Sequence, residues 1–260
     1  MKKILIRLLM AIVVLVVLAV IAAALFLDGA IKRGVETVGP MLTKVEVKLD
    51  SVSVSMLSGG GKMKGLFVGN PEGFKTPSAI KVGIATLALQ PSSVLSDKVV
   101  IKTINVQAPE ITFETDLRHN NLSKILANLD EVTGGGTKQP AGEKKATGGK
   151  KLQVDDFLIS GGKINVSLTT LGGKSLTVPL PEIHLTQLGT GPEGITPAEL
   201  LKRVLQEVEK SAASASQSAV GDLSKQANEL GKQAADAATK SATDAAGKAT
   251  KSVTDIFKKK

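Results

Sequence analysis

The sequence predicts an α+β protein: an N-terminal transmembrane helix, a curled antiparallel β-sheet forming a groove with few short helices, and a long C-terminal amphipathic helix. Three observations carry that expectation. Twenty consecutive residues, Leu8 to Leu27, lack a charge. From Lys44 to Leu188 apolar residues alternate with polar ones at period two. Beyond Thr196 the apolar marks return at helical spacing.

At 1.5 Å per residue the run from Leu8 to Leu27 spans the roughly 30 Å hydrocarbon core of a bilayer. Fourteen of its residues are Leu, Ile, Val or Phe, which favours insertion by about 4 to 8 kcal/mol. A cleaved secretory signal is the alternative, since Ala22, Ala23 and Ala24 offer a small-residue site. The run continues through Leu25, Phe26 and Leu27, beyond the usual length of a cleavable segment. Lys2, Lys3 and Arg7 precede it, whereas Lys32 and Arg33 behind it are offset by Asp28 and Glu36. The amino terminus is therefore expected in the cytoplasm of a single-pass inner-membrane protein, with the bulk of the chain periplasmic. Residues 28–43 extend the anchor helix up to a break at Gly39 and Pro40, making 1–43 the anchor and juxtamembrane unit.

Residues 44–196 form the expected β-groove domain. Val45, Val47 and Leu49 alternate with charged residues, and the parity then shifts to Val52, Val54 and Met56, which implies a bulge near Asp50. The same pattern recurs at Ile80 to Leu89, Val99 to Val106 and Ile111 to Phe113, read as antiparallel strands with one apolar face. Leu122, Ile125, Leu126 and Leu129 mark a short helix capped by an Asn. Residues 132–151, glycine- and lysine-rich, read as a flexible insertion. Strand grammar resumes at Leu152 to Ile159, Ile164 to Leu168 and Leu176 to Leu188, where Pro179 and Pro181 suit an edge.

Residues 197–260 form the expected helical region. Thr196, Pro197 and Glu199 make a capping box, followed by Leu200, Leu201, Val204, Leu205 and Val208 on one face. From Val220 to Ile256 the apolar face is mostly alanine, with Gly221, Gly231 and Gly247 each costing roughly 1 kcal/mol in a helix. Two readings stay open for this tail: a helix formed on a lipid surface or on the sheet, or a solvated spacer.

The composition excludes several chemistries. The 260 residues contain no Cys, Trp or Tyr and two histidines, so thiol, disulfide and three-His zinc chemistry are out. His119 and His184 fall at surface positions. Gly172 to Ser175 lacks the first glycine and the helix of a phosphate loop, and no Ser, His and Asp set forms a triad. No catalytic residue, cofactor or metal is expected, and the protein is read as no enzyme. The net charge of +9 gathers at the anchor flank, at 132–151 and at 220–260. It is not interleaved with aromatics, so it points to anionic lipid surfaces and not to nucleic acid.

A glycine-rich turn follows one strand: Gly65, Gly69, Asn70, Pro71, Gly73 and Phe74. Then come Pro91 to Ser96, Ile101 to Val106 leading into Pro109, Glu110 and Ile111, and Asn120, Asn121 and Leu122. With the anchor, this order over residues 1–130 resembles the start of the AsmA-like family of bacterial envelope proteins. The resemblance implies an inner-membrane anchor, a periplasmic groove handling lipid acyl chains, and a part in outer-membrane lipid homeostasis. The chain is short for a member that bridges two membranes. One-sided strands outnumber the helices able to cover them, which leaves closure of the sheet, a partner protein or bound acyl chains. The groove candidates are Val54, Val82, Ile84, Ile101, Ile111, Phe113, Val166, Leu168 and Val178. The structural alternative is an envelope scaffold whose sheet packs dry and whose C-terminal helix contacts a membrane or protein.

Overall fold

The computed structural model describes residues 2–55, 58–116, 118–133, 150–168 and 175–219, with scattered positions between 221 and 239; before Phe26 it describes only the side chains of Met10, Val14 and Leu15. The chain divides into two units, 1–216 and 217–260. The first is an α+β fold with a strongly curled, mixed half-barrel sheet. Helix α1 (Lys2–Thr43) leads into strands β1 (Val47–Lys48), β2 (Ser51–Val54), β3 (Gly60–Gly69), β4 (Ser78–Leu89), β5 (Lys98–Gln107) and β6 (Glu110–Thr115). After α2 (Asn121–Thr133) come β7 (Lys151–Ser160), β8 (Lys163–Leu168), β9 (Ser175–Pro179) and β10 (Ile183–Leu188). A third helix, α3, covers 197–219.

The ten strands make six rungs, each bent in the middle. In order they are β1 with β2, then β3, β4, β5 with β6, β7 with β8, and β10 with β9. The bends align. Asp50 separates β1 from β2, and its N–H donates to the Lys64 carbonyl beside Gly65. Gly65 and Gly83 lie between the pairs Lys64 with Ile84 and Leu66 with Val82. The third bend faces Ala108 and Pro109; Ala108 N–H then bonds Ser160 and Lys163 N–H bonds Pro109, across Gly161 and Gly162. Leu180 N–H bonds Gly162, closing the line at the break between β9 and β10.

Sterics explain the residues on this line. Gly65 has φ +65°, and a Cβ there would lie 1.9 Å from Asp50 Oδ2. At Gly162 a Cβ would come within 2.8 Å of Leu180 and 3.0 Å of Pro109. Only glycine lets neighbouring rungs approach so closely where the sheet folds.

The sheet is mixed, which corrects the expected all-antiparallel arrangement. β5 runs parallel to β7 and β6 parallel to β8, every paired residue differing by 53 in number. The cause is the connection. After β6 the chain returns through α2 to the start of the next rung, and a crossover containing a helix yields parallel neighbours where a hairpin cannot. The expected insertion at 132–151 also shrinks at both ends, since α2 reaches Thr133 and β7 begins at Lys151; residues 134–149 lie outside the described set.

Helices fill much of the concave side. Leu122, Ile125 and Leu129 of α2, with Leu205, Val208 and Ala212 of α3, pack on Ile111, Phe113, Val154, Phe157, Ile164 and Val166. At roughly 25 cal/mol per Å² of buried apolar surface, this is the main stabilising layer. The capping box forms as the spacing predicts: Thr196 N–H donates to Glu199 at 2.7 Å, and Glu199 N–H to Thr196 Oγ1 at 3.1 Å. The expected break at Gly39 and Pro40 does not occur. α1 continues to Thr43 with Pro40 inside it, because a proline in a last turn removes a single intrahelical donor.

Among the described residues no helix is long and apolar enough to cross a membrane. The run Leu8 to Leu27 lies within α1, but most of its side chains fall outside the described set, and the expected span falls on them. Most of the expected tail helix from Val220 likewise lies outside the described residues. Helical positions there are 221, 225, 228, 229, 232, 233 and 239.

Candidate functional site

The last four turns of α1 lie along the edge of the sheet. Asp28, Lys32 and Glu36 recur every four residues and therefore share one helix face. Val54 N–H donates to Asp28 Oδ1 at 2.8 Å, and Leu49 N–H to Glu36 Oε1 at 3.1 Å. Lys32 Nζ donates to the Leu49 carbonyl and, at 3.2 Å, to that of Asp50. Side chains thus satisfy the backbone of an edge strand that would otherwise template further pairing. Glu36 also pairs with Lys32 at 3.2 Å, and the Leu49 N–H, with Lys32, holds its carboxyl below its usual range.

Where α1 meets the sheet, an apolar cleft of about 210 Å³ stays open. Leu27 and Ile31 of α1 line it on the helix side; Val52, Val54, Met63, Leu87, Leu89, Val94 and Val99 line it from the strands and the β4–β5 connection. Lys62 is the charged residue of the lining. Neither α2 nor α3 contributes a residue to it. Such a surface offers no directional bond, so it selects by apolarity and shape. The volume is below the roughly 300 to 1,000 Å³ of sites enclosing a drug-sized ligand.

The groove candidates separate into classes. Val54 lines the cleft. Ile101, Ile111, Phe113 and Val166 are buried in the core with α2 and α3, and Val178 packs on its margin. Val82 is buried, Ile84 half-buried beside Lys64 and Gln107. Leu168 ends β8, with its side chain outside the described residues. Of the apolar lining only Val54 was among the candidates; Leu27, Ile31, Val52, Met63, Leu87, Leu89, Val94 and Val99 were not, although the end of the apolar run adjoining the first strand was a signal for Leu27 and Ile31.

The turn motif has a structural explanation that spacing did not reveal. Glu114, fully buried, accepts from Lys75 N–H and Thr76 N–H at 2.8 Å each and from Thr76 Oγ1 at 2.5 Å. Asn70 donates to the Thr76 carbonyl at 2.7 Å, and Asn121 donates to Asn70 Oδ1 at 2.7 Å and to the Thr112 carbonyl at 2.8 Å. Gly69 N–H bonds the Glu46 carbonyl and Phe74 N–H that of Pro71, closing the turn. Gly73, at φ +98°, supplies the backbone conformation it needs. Burial raises the Glu114 carboxyl, yet the Thr76 hydroxyl and the two N–H groups outweigh it and hold the group below its ordinary value. Gly69, Asn70, Pro71, Gly73 and Phe74 thus belong to a turn clamped by Glu114, whereas Gly65 lies on the fold line beside Asp50.

His119 and His184 are exposed, as expected, beside Asp116 at 3.5 Å and Asp156 at 2.5 Å. A second cavity, about 310 Å³, has a mixed lining that includes Lys81, Glu110, Thr112 and Asn165. Among the described residues no three His, Asp or Glu side chains gather as metal ligands would. No family model, curated protein or solved structure matches the chain.

Proposed function

We propose that this chain is an AsmA-like envelope protein, anchored in the inner membrane by Leu8 to Leu27, that holds part of a lipid acyl chain in the cleft between the sheet and Leu27 and Ile31 of α1. The observation that carries the reading is the cleft itself, apolar-walled and not covered by the helices that fill much of the concave side. Each methylene taken from water contributes about 0.8 kcal/mol without a hydrogen-bonding partner. Position supports it too, because Leu27 ends the uncharged run and also lines the cleft. The ordered motifs over 1–130 add the family resemblance. In this reading the amino terminus is cytoplasmic and the sheet periplasmic, the partners are membrane lipids, and neither catalysis nor a cofactor is involved. The tail from Val220 is proposed as a helix formed on an anionic surface.

Lipid extracted from the detergent-purified full chain and identified by mass spectrometry tests the reading. A Val54→Asp variant places a charge on the cleft wall and should lose bound lipid while keeping its circular dichroism. Equal lipid content in a folded variant and the parent would refute acyl-chain binding at this cleft. A second reading, a dry-packed scaffold, draws on the core position of Ile101, Ile111, Phe113 and Val166. It expects no lipid in either protein.

A further inference from the structure

Of the large apolar side chains described, Leu95 is the most exposed, at 91%. It sits in the β4–β5 connection, two residues after the 3-10 turn Pro91–Ser93, and among the described residues no core side chain covers it. An isolated exposed leucine is ordinary. What distinguishes this one is its level along α1.

Three observations fix that level. Val94, its neighbour, lines the cleft together with Leu27, the last residue of the uncharged run. Val54, near the tip of the first rung, bonds Asp28, one residue beyond the run. Leu49, five residues back toward the fold line, bonds Glu36, so the rungs run alongside α1 with their tips toward its membrane end. The other tips gather there: Gly59 approaches Leu89 and Pro91, Lys150 Nζ bonds the Val94 carbonyl, and Lys98 Nζ bonds the Gly191 carbonyl at 3.2 Å. The loop is braced by Ser93 Oγ accepting from Val100 N–H at 2.9 Å and by Ser96 Oγ donating to the Ser93 carbonyl at 2.7 Å.

We infer that the 91–97 loop is a membrane-contact element whose Leu95 inserts into the outer leaflet of the bilayer that α1 enters, seating the mouth of the cleft at the lipid interface. The inference rests on the anchor reading of Leu8 to Leu27. A braced loop presents the leucine without ordering cost on insertion, and a leucine crossing into the acyl boundary gains apolar burial. Lys98 and Lys150 beside it suit an anionic headgroup layer. The occupant is a lipid surface and not a protein, because the loop's height is set by the helix that leads into the membrane.

The absence of cysteine makes the test direct. Full-length Leu95→Cys, labelled with an environment-sensitive nitrobenzoxadiazole dye, is reconstituted in vesicles of phosphatidylethanolamine and phosphatidylglycerol. Glu72→Cys, exposed in the turn at the opposite end of the rungs, serves as reference. Insertion predicts blue-shifted emission at 95 and quenching by nitroxide-bearing acyl chains at least roughly twofold stronger than at 72. Equal quenching by a water-soluble quencher at both positions, with no lipid quenching at 95, overturns the inference. Lipid extracted from the same proteins in detergent, before reconstitution, separates the two readings. Inserted label without bound lipid counts against the acyl-chain cleft alone; bound lipid with an aqueous label counts against Leu95 alone.

Discussion

Glu114 shows what one buried residue decides. Its carboxylate gathers two backbone donors and a hydroxyl from the 70–76 turn, and its own N–H donates to Asn121 at the start of α2 at 3.0 Å. Turn, rung and helix are thus joined at a single residue. Replacement by Gln keeps the shape but puts an amide where three donors converge, so Glu114→Gln should destabilise by about 2 to 3 kcal/mol in urea titration of the purified chain. The pH dependence has a definite sign. A carboxyl held below its unfolded value contributes stability above that value and loses it as pH falls through the folded one. The parent should therefore lose stability below about pH 4, more steeply than Glu114→Gln. Parallel acid profiles for the two proteins would show that ionisation of Glu114 contributes nothing to stability. The sequence displayed Asn70, Pro71 and Gly73 as turn chemistry, but Glu114 stood at an ordinary polar position of a strand. Nothing in a period-two pattern distinguishes a solvated acid from one buried under a neighbouring loop.

At the scale of elements, the sheet's bend depends on its glycines, and the cost of replacing them should follow local space. Gly65→Ala meets both a positive φ and Asp50, and should cost about 2 kcal/mol or more. Gly83→Ala lies on the same line with nothing within 4 Å of the added Cβ, and should stay within about 0.5 kcal/mol of the parent. Similar melting losses for both would mean that the line is not sterically set. Strand positions were legible because a one-sided strand writes its face into alternate residues. The pairing of β5 with β7 was not, since those partners lie 53 residues apart and only the path through α2 makes them parallel. The tail from Val220 offers a different kind of prediction. Its alanine face gains little from apolar transfer, whereas each lysine near an anionic surface contributes about 1 kcal/mol. A Val220 to Lys260 peptide should be disordered in buffer and gain helix on anionic vesicles, less with added salt. Full helicity in buffer would mark a spacer or oligomerisation helix instead.

For the whole molecule, the consequential feature is that one helix carries both the uncharged run and the charged face that grips the sheet. Asp28, Lys32 and Glu36 read in sequence as an ordinary mixed flank, and their spacing acquired meaning only beside an edge strand. Likewise, counting strands against helices foretold uncovered apolar surface. It could not foretell that α2 and α3 would cover Ile111, Phe113 and Val166 and leave the opening next to α1. If that opening loads from the bilayer, its height above the bilayer should matter as well as its walls. Seven polar, helix-forming residues inserted between Phe26 and Leu27 keep the helical phase within about 20° and lift the sheet by about 10 Å. The docking contacts from Leu27 onward are retained, so the thermal midpoint should not change. Lipid bound in the cleft should fall severalfold, and a dye at Leu95→Cys should move from lipid to water. Full lipid occupancy in a stable, lengthened protein would mean that the cleft fills from somewhere other than the membrane in which α1 is anchored.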